Sequence, residues 1–436
     1  MFDPVWIATG AIAVMLLLLA IGVPVAVALA STGFAGLVMI GGLPLAFAQL
    51  QSVPYSLSSE YAFAVVPTFI LMGNLALNGG MARELFDAAD KWLGNLTGGQ
   101  YLTTIVGSTG FAAASGSTLA NATVFTKIAL PQMLRLGYSR RIASACIAAS
   151  GTLAAMIPPS IAMVVYGIVT EQSIGKLMLA GIIPGILSAL AYCILIVILV
   201  RLRPEIAPHK TGAASVMEKV RALGGIWAIG LLFVVIMGGI YTGFFSPSAA
   251  GAVGAFGTMI ILAIRRRLNW QMLWESLTSA AITTAMLFII IIGGLLFSRM
   301  LVMSGVITDV VNVVTDMELS PLVLLAVISC MLLIFGCFID AMSMLLVSLP
   351  FVFPLISAAG IDPIWFGIIV IQLLELGAIT PPIGLNLFAT LSAAEGKLTM
   401  GDIAIGIMPF IALNLVLLAI FILAPELVLW LPNQMQ

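Results

Sequence analysis

From Val5 to Leu431 the chain is a succession of apolar runs, each of helix-spanning length, joined by short loops. Hydrophobic residues fill 62% of its 436 positions and charged residues only 8%, whereas a soluble domain carries about 25% charged residues. Lipid supplies no hydrogen-bond partners, so such a chain must satisfy its backbone internally, as helices. An all-α polytopic membrane protein follows, with no stretch left for a soluble domain. No basic residue precedes the first apolar run and no clear small-residue cleavage site follows it, so that run is expected to stay as a span rather than leave as a signal peptide.

Other chemistries are poorly served. Cys146, Cys193, Cys330 and Cys337 sit in apolar stretches without metal-ligand spacing, and the one histidine, His209, lies in a charged loop. A Cys/His zinc site and an intramembrane histidine relay are both excluded. Ser115 and Ser160 have no histidine near them in sequence, so an enzyme is not expected.

Two apolar segments interrupt themselves with paired prolines: "MIPPSIAM" at 156–163 and "ITPPIGLN" at 379–386. One proline inside a helix costs about 3 kcal/mol or more. Both pairs belong to an internal repeat. At a single offset Pro131 matches Pro354, Gly137 matches Gly360, and Pro158 and Pro159 match Pro381 and Pro382. With a small gap, Gly80 and "RELFDAAD" face Gly305 and "TDVVNVVT", giving a repeated unit over 62–200 and 285–424. Basic residues mark the cytoplasmic side at Arg83 and Lys91, at 135–141, at 201–221 and at 265–267. The repeat equivalent of 135–141 is "SAAGIDP" at 357–363, which has no basic residue and belongs outside. The halves are therefore expected to be inverted, a frequent transporter plan.

Within that plan, residues 5–49 form two spans broken near "GVP" at 22–24, and 61–78 form a third. "ARELFDAADKWLG" places Leu85, Phe86, Ala89, Trp92 and Leu93 on one helical face, as an interfacial helix or an ordinary loop helix would. "NWQMLWESL" after Arg267 resembles it and belongs at the aromatic belt. Residues 101–134 form a hairpin with "SGS" (115–117) at its tip, and 321–353 a second with its tip near "CFIDAMS". Arms of roughly 14 to 17 residues, at about 1.5 Å per residue, reach mid-depth. The helix from Ile142 breaks at Pro158 and Pro159 and resumes at Ser160; its mirror from Ile364 breaks at 380–382. The expected divisions are scaffold at 1–60, a scaffold helix and arm at 61–97, a transport half at 98–200, further scaffold at 201–284, a second scaffold helix and arm at 285–320, the second transport half at 321–424, and a tail at 425–436.

Each break frees carbonyls on one half-helix and amides on the next; the first suit cations, the second anions. Taken singly, a Pro-Pro pair could merely kink a packed helix, and "SGS" could merely allow close packing. Repeated in register beside hairpins, they read as binding sites. Asp340 at the second tip is an ionisable group at membrane depth, by default functional, with a hydrogen-bonded structural carboxylate as the weaker alternative. Glu375 is also embedded, and its partner is open. Lys127 and Arg299 can snorkel and receive no site role.

With these residues in view, the chain resembles the large membrane subunit of tripartite ATP-independent periplasmic (TRAP) transporters over essentially its whole length. The matching stretches are "PTFILMGNLALNGG" (67–80), "SGS", "IPPSI" (157–161), "LMLAGIIPG" (177–185), "GGIYTGFFSPSAAGA" (238–252), "GIDPIWFGI" (360–368) and "TPPIGLNL" (380–387). The resemblance implies a sodium-coupled importer of organic acids in the bacterial inner membrane, commonly of carboxylates, working as an elevator. It implies two partners, a small four-helix membrane subunit, expected as a separate chain, and a periplasmic substrate-binding protein; no cofactor is implied beyond the coupling sodium ions. Carried over by motif, Ser115, Gly116, Ser117, Met156, Ile157 and Pro159 form one sodium site, and Gly336, Asp340, Gly377, Thr380 and Pro382 the other. Ser115, Ser160 and Asp340 line the substrate cavity. Three positions depart from the family pattern: Ala249 where an acid is common, no asparagine near Leu373, and Ala154 in place of a glycine. A carboxylate carrier that needs no binding protein, and an anion channel, are the alternatives.

Overall fold

Helices account for nearly all of the chain in the computed structural model, which describes residues 3–208 and 215–435; His209 lies outside the described residues. The amino-terminal part comprises α1 (Pro4–Ala20), α2 (Val25–Ser59) and, after a 3-10 turn at Tyr61–Ala64, α3 (Val65–Asn78). Next come α4 (Met81–Leu93), the hairpin α5 (Gly99–Ser115) and α6 (Thr118–Arg135), the broken helix α7 (Arg140–Met156) and α8 (Ile161–Val169), and the long α9 (Ile174–Leu202). Then α10 (Val216–Tyr241), α11 (Pro247–Ile264) and α12 (Trp270–Ser304) intervene. The second series is α13 (Val306–Asp316), the hairpin α14 (Pro321–Gly336) and α15 (Ala341–Ala358), the broken helix α16 (Pro363–Ile379) and α17 (Leu385–Ala393), and α18 (Met400–Leu423), followed by the short α19 (Glu426–Leu429). Among the described residues eight helices are long and apolar enough to cross a membrane, and a ninth span arises if α7 and α8, bent by 42°, count as one. The protein is a multi-pass membrane protein.

The order arm, hairpin, broken helix, long helix occurs twice. Corresponding residues adopt left-handed backbone: Gly80 (φ 78) and Gly305 (φ 79) before the arms, Glu171 (φ 55) and Glu395 (φ 50) after the broken helices. Both Pro158–Pro159 and Pro381–Pro382 are cis. The second leg of each broken helix lies against the other series. Helix α17 packs on α6 and α7, where Asn386 donates to the Ala148 carbonyl at 3.4 Å. Helix α8 packs on α15 and α16, where the Tyr166 hydroxyl donates to the Pro363 carbonyl at 2.7 Å.

Two expectations about helix ends and one about a side chain are corrected. Helix α2 runs past residue 49 to Ser59, bending at Gly42 (φ 80, ψ 175). Its polar second half looks like a loop in sequence, but Ser52 and Ser56 turn their hydroxyls back onto the Gln49 and Val53 carbonyls at 3.3 and 3.0 Å, which lets them stay helical in an apolar setting. "NWQMLWESL" is no separate helix. Asn269 caps Met272 N at 2.8 Å and starts α12 there, so the expected boundary at 285 falls inside a continuous helix. Arg299, in turn, does not simply snorkel: it donates to Gln49 Oε1 at 2.7 Å and ties α12 to α2.

The arm α4 buries Leu85, Phe86 and Ala89, and packs on α5 and α10, so its apolar face is taken by protein. Its polar face gathers the basic loops. Glu84 pairs with Arg265 and, at 2.6 Å, with Arg267, while Trp92 donates to the Lys219 carbonyl at 3.1 Å. Arg141 meets Asp402 at 3.7 Å. A small hydrophobic cluster formed by α1, α2 and the end of α12 stands beside the main core, which runs through both hairpins and both broken helices.

Candidate binding site at the hairpin tips and helix breaks

Each hairpin tip docks on the broken helix of its own series. At the first, α5 ends at Ser115 and Gly116 turns the chain in the left-handed region (φ 57). A Cβ on Gly116 would stand 2.8 Å from the Pro159 carbonyl oxygen, so glycine is required both by conformation and by the approach of the break. Ser117 caps α6 through Ala120 N and Ser160 caps α8 through Met163 N, both at 3.4 Å. Helix α7 ends at Met156, and Ile157 is extended (φ −82, ψ 122). The Met156 carbonyl abuts α9, where a Cβ on Gly181 would lie 2.5 Å from it. The Ser115 carbonyl abuts α3, where a Cβ on Gly73 would lie 2.9 Å away.

At the second tip, Gly336 ends α14 directly against Gly377 of α16. Thr380 is extended (φ −95, ψ 125), as Ile157 is at the first break, and its hydroxyl donates to the Leu376 carbonyl. Pro382 follows in the cis pair, and Gly384 (φ 59) opens α17 without a side-chain cap. Asp340, half-buried, accepts from Met342 N and Ser343 N at 3.1 Å each, both bonds reaching Oδ1. It is thus the N-cap of α15 through Oδ1.

Geometry therefore joins Gly116 with Pro159 and Gly336 with Gly377. It leaves Ser117, Ser160 and Asp340 engaged as helix caps. Four helix N-termini, those of α6, α8, α15 and α17, converge on the tips and breaks, each the positive end of a helix. Among the described residues the buried polar ones include no Lys or Arg, and Lys127 is exposed. Polar oxygens, by contrast, are left over. Ser115 Oγ, Ser343 Oγ, Asn386 Oδ1 and Thr390 Oγ1 are buried without a hydrogen-bond partner. Orphans of this kind are costly and ask for a ligand or water. Ser343, Asn386 and Thr390 were not singled out from sequence, although Asn386 stands inside "ITPPIGLN"; a polar residue in a short apolar leg was the available signal.

Two concavities adjoin the end of α8. One of about 440 Å³ opens between α2, α3 and the end of α8, lined by Leu57, Glu60, Phe63, Glu171 and Gln172. Another, of about 220 Å³, adjoins it at Thr170, Ser298 and Pro350. None of Ser115, Ser160 and Asp340 lines either.

Residues 12–427 match the family model described as the tripartite ATP-independent periplasmic transporter, DctM component. The chain is 36% identical over 380 residues to the C4-dicarboxylate TRAP transporter large permease protein DctM of Pseudomonas aeruginosa, covering 87% of this chain and 88% of the relative. It is 30% identical to the sialic acid TRAP transporter large permease protein SiaM of Vibrio cholerae, with 95% and 96% covered. To the ectoine TRAP transporter large permease protein TeaC of Halomonas elongata it is 31% identical, with 96% and 97% covered. The crystal structure of the Alcanivorax borkumensis YdaH transporter shares the fold at a TM-score of 0.56 and 12% identity, over 87% of this chain and 89% of that one.

Proposed function

Because the chain belongs to the DctM family, the large permease subunits of tripartite ATP-independent periplasmic transporters, we propose that it imports an organic acid across the bacterial inner membrane, coupled to a sodium gradient. A periplasmic binding protein delivers the acid, and a small membrane subunit holds the permease in place. Relatives are named for C4-dicarboxylates, sialic acid and ectoine, which carry a carboxylate, and for isethionate, which carries a sulfonate instead. The two series of helices are inverted repeats. Their hairpins and broken helices form the body that moves, as an elevator, against α1–α3 and α10–α12.

One observation carries this reading: Ser115, Ser343 and Asn386 keep unpartnered buried oxygens at the tips and breaks, while no Lys or Arg is buried among the described residues. Bare oxygens and carbonyl ends favour a cation, and the helix N-termini beside them favour a carboxylate. A carboxylate bound beside Asp340 without cations would carry uncompensated negative charge through the low-dielectric barrier, so bound sodium is the condition for the substrate-loaded body to cross. Support for inversion comes from the ends of the helices. The loop before α7 lies with the basic residues, at Arg141–Asp402, whereas the start of its counterpart α16 lies at the far end of α8, at Tyr166–Pro363.

The test is uptake of labelled carboxylates into proteoliposomes holding the chain and its small subunit, with and without binding protein, under an inward sodium gradient or none. Accumulation that needs both sodium and binding protein is expected. Accumulation without binding protein would identify an autonomous carrier, and equilibration without sodium a channel or uniporter.

A further inference from the structure

Helices α4, α5 and α9 come together at the turn between the first two. There Gly98 is left-handed (φ 73), and a Cβ on it would stand 3.0 Å from Val200 Cγ2 and 3.3 Å from Ile196 Cγ2. Beside that contact a groove of about 390 Å³ runs along α9 from Cys193 to Arg201, walled by Leu93 of α4 and by Leu102 and Val106 of α5. Over that stretch the helix advances about 12 Å, most of the depth of one leaflet, whose hydrocarbon is about 15 Å thick. Arg201 is the one charged residue in the lining, which is otherwise aliphatic apart from the Cys193 thiol. Val106, Ile194 and Ile198 are left exposed along it.

Such a groove faces hydrocarbon, because α9 is one of the membrane spans. Any acyl chain can cover exposed aliphatic side chains, but Arg201 decides which lipid fits best. Tyr101 and Ser139 both donate to the Ile206 carbonyl, at 2.8 and 3.0 Å, which sets this end of α9 level with the basic loop at 135–141. Arg201 therefore stands at headgroup depth. No acid lines the groove, and among the described residues Arg201 has no ion pair. Past the helix end Arg203 and Glu205 are both exposed and of opposite charge, which leaves Arg201 as the uncompensated cation at the groove. A guanidinium with an apolar trough rising from it matches a phosphate joined to a long chain.

We propose that this groove is a binding site for an anionic phospholipid, with one acyl chain laid between α5 and α9 and the phosphate on the Arg201 guanidinium. A zwitterionic lipid offers the same phosphate but brings its own cation to Arg201, so net charge sets the preference. Leu93 belongs to the arm and Leu102 and Val106 to the first hairpin, so the chain fills the seam between those two parts. The site needs only that the protein spans a membrane and stands apart from the transport reaction proposed above.

Native mass spectrometry of the purified complex, titrated with phosphatidylglycerol or with phosphatidylcholine of identical chains, reads the site. Wild type should hold phosphatidylglycerol the more tightly. Arg201→Gln should lose about fivefold in affinity for it, the contribution of one basic residue near an anionic headgroup, and bind phosphatidylcholine as before. Val106→Trp, which sets a ring in the groove from an exposed position, should weaken both lipids. Melting temperatures measured without added lipid confirm that the variants fold. Equal binding of the two lipids by wild type would overturn the proposal, as would a preference unchanged in Arg201→Gln or binding indifferent to Val106→Trp. Glycerol phosphate, the headgroup without chains, should compete poorly; competition as strong as the lipid's would leave a phosphate site and no lipid site. A complex that excludes lipid while the chain freed of its small subunit takes it would give the groove to a helix of that subunit instead.

Discussion

Gly336 and Gly377 meet backbone against backbone: a Cβ on Gly377 would stand 2.7 Å from Gly336 Cα and 2.9 Å from its carbonyl oxygen. The second hairpin tip reaches its broken helix only because both residues lack a side chain. In the other direction the space is less tight, a Cβ on Gly336 lying 3.1 Å from Gly377 Cα and from Met344 Sδ.

Gly377→Ala therefore forces backbone to move, whereas Gly336→Ala can be met partly by the flexible Met344 side chain. Overpacking of this kind costs about 1–3 kcal/mol. Thermal unfolding of the purified complex should show both variants destabilised, Gly377→Ala the more so, with uptake reduced in the same order. Equal melting temperatures for Gly377→Ala and wild type would mean that the tip does not seat on α16 as described.

Asp340 caps α15 through Oδ1, and asparagine can cap equally well. Asp340→Asn should thus keep the fold and the assembly with the partner subunit while removing the charge, whereas Asp340→Ala gives up about 1 kcal/mol of helix capping as well. Uptake should collapse in both, and the melting temperature should drop only in the alanine variant. Undiminished uptake by Asp340→Asn would reduce Asp340 to a cap and take it out of the ligand site.

Glu84 holds Arg265 and Arg267 together, and Arg265 also donates to the Gly225 carbonyl at 3.0 Å. Removing the acid leaves two cations side by side, Arg265 largely buried and Arg267 more exposed. Hydrogen bonds to charged groups contribute about 1.5–3 kcal/mol, so Glu84→Ala should lower the melting temperature through the joint between α4 and the turn from α11 to α12. The loss should shrink at high salt, where repulsion between the two guanidinium groups is screened. A salt-independent loss would assign the effect to packing of the Glu84 stem instead.

Architecture was legible in the sequence because it is written in punctuation. Pro158–Pro159 and Pro381–Pro382 lie at both breaks, and Gly80 and Gly305 open both arms in left-handed backbone that glycine adopts readily. What escaped was written in partners. Nothing in "CFIDAMS" tells whether Asp340 faces a ligand or its own helix terminus, and only the fold sets its Oδ1 on Met342 N and Ser343 N. The polar end of α2 resembled a loop because composition does not reveal that a serine hydroxyl will bond one turn back. Asn414 is one amide in a long apolar helix; its weight comes from Tyr192 and Gln372, far away in the chain.

Gly73 of α3 offers the sharpest test of movement. A Cβ there would lie 2.9 Å from the Ser115 carbonyl, at the contact between a helix assigned to the scaffold and a tip assigned to the moving body. If the hairpin slides past α3, Gly73→Ala adds its methyl to the path, and an extra barrier of about 1.4 kcal/mol slows exchange tenfold. Because Ser115 also belongs to the first proposed sodium site, sodium and substrate dissociation constants are measured at equilibrium on the purified complex, and the uptake rate should fall by more than any loss of affinity accounts for. A rate that falls only in proportion to weakened binding would instead place α3 and the hairpin in one rigid body, and the division between the parts would have to be redrawn with α3 on the moving side.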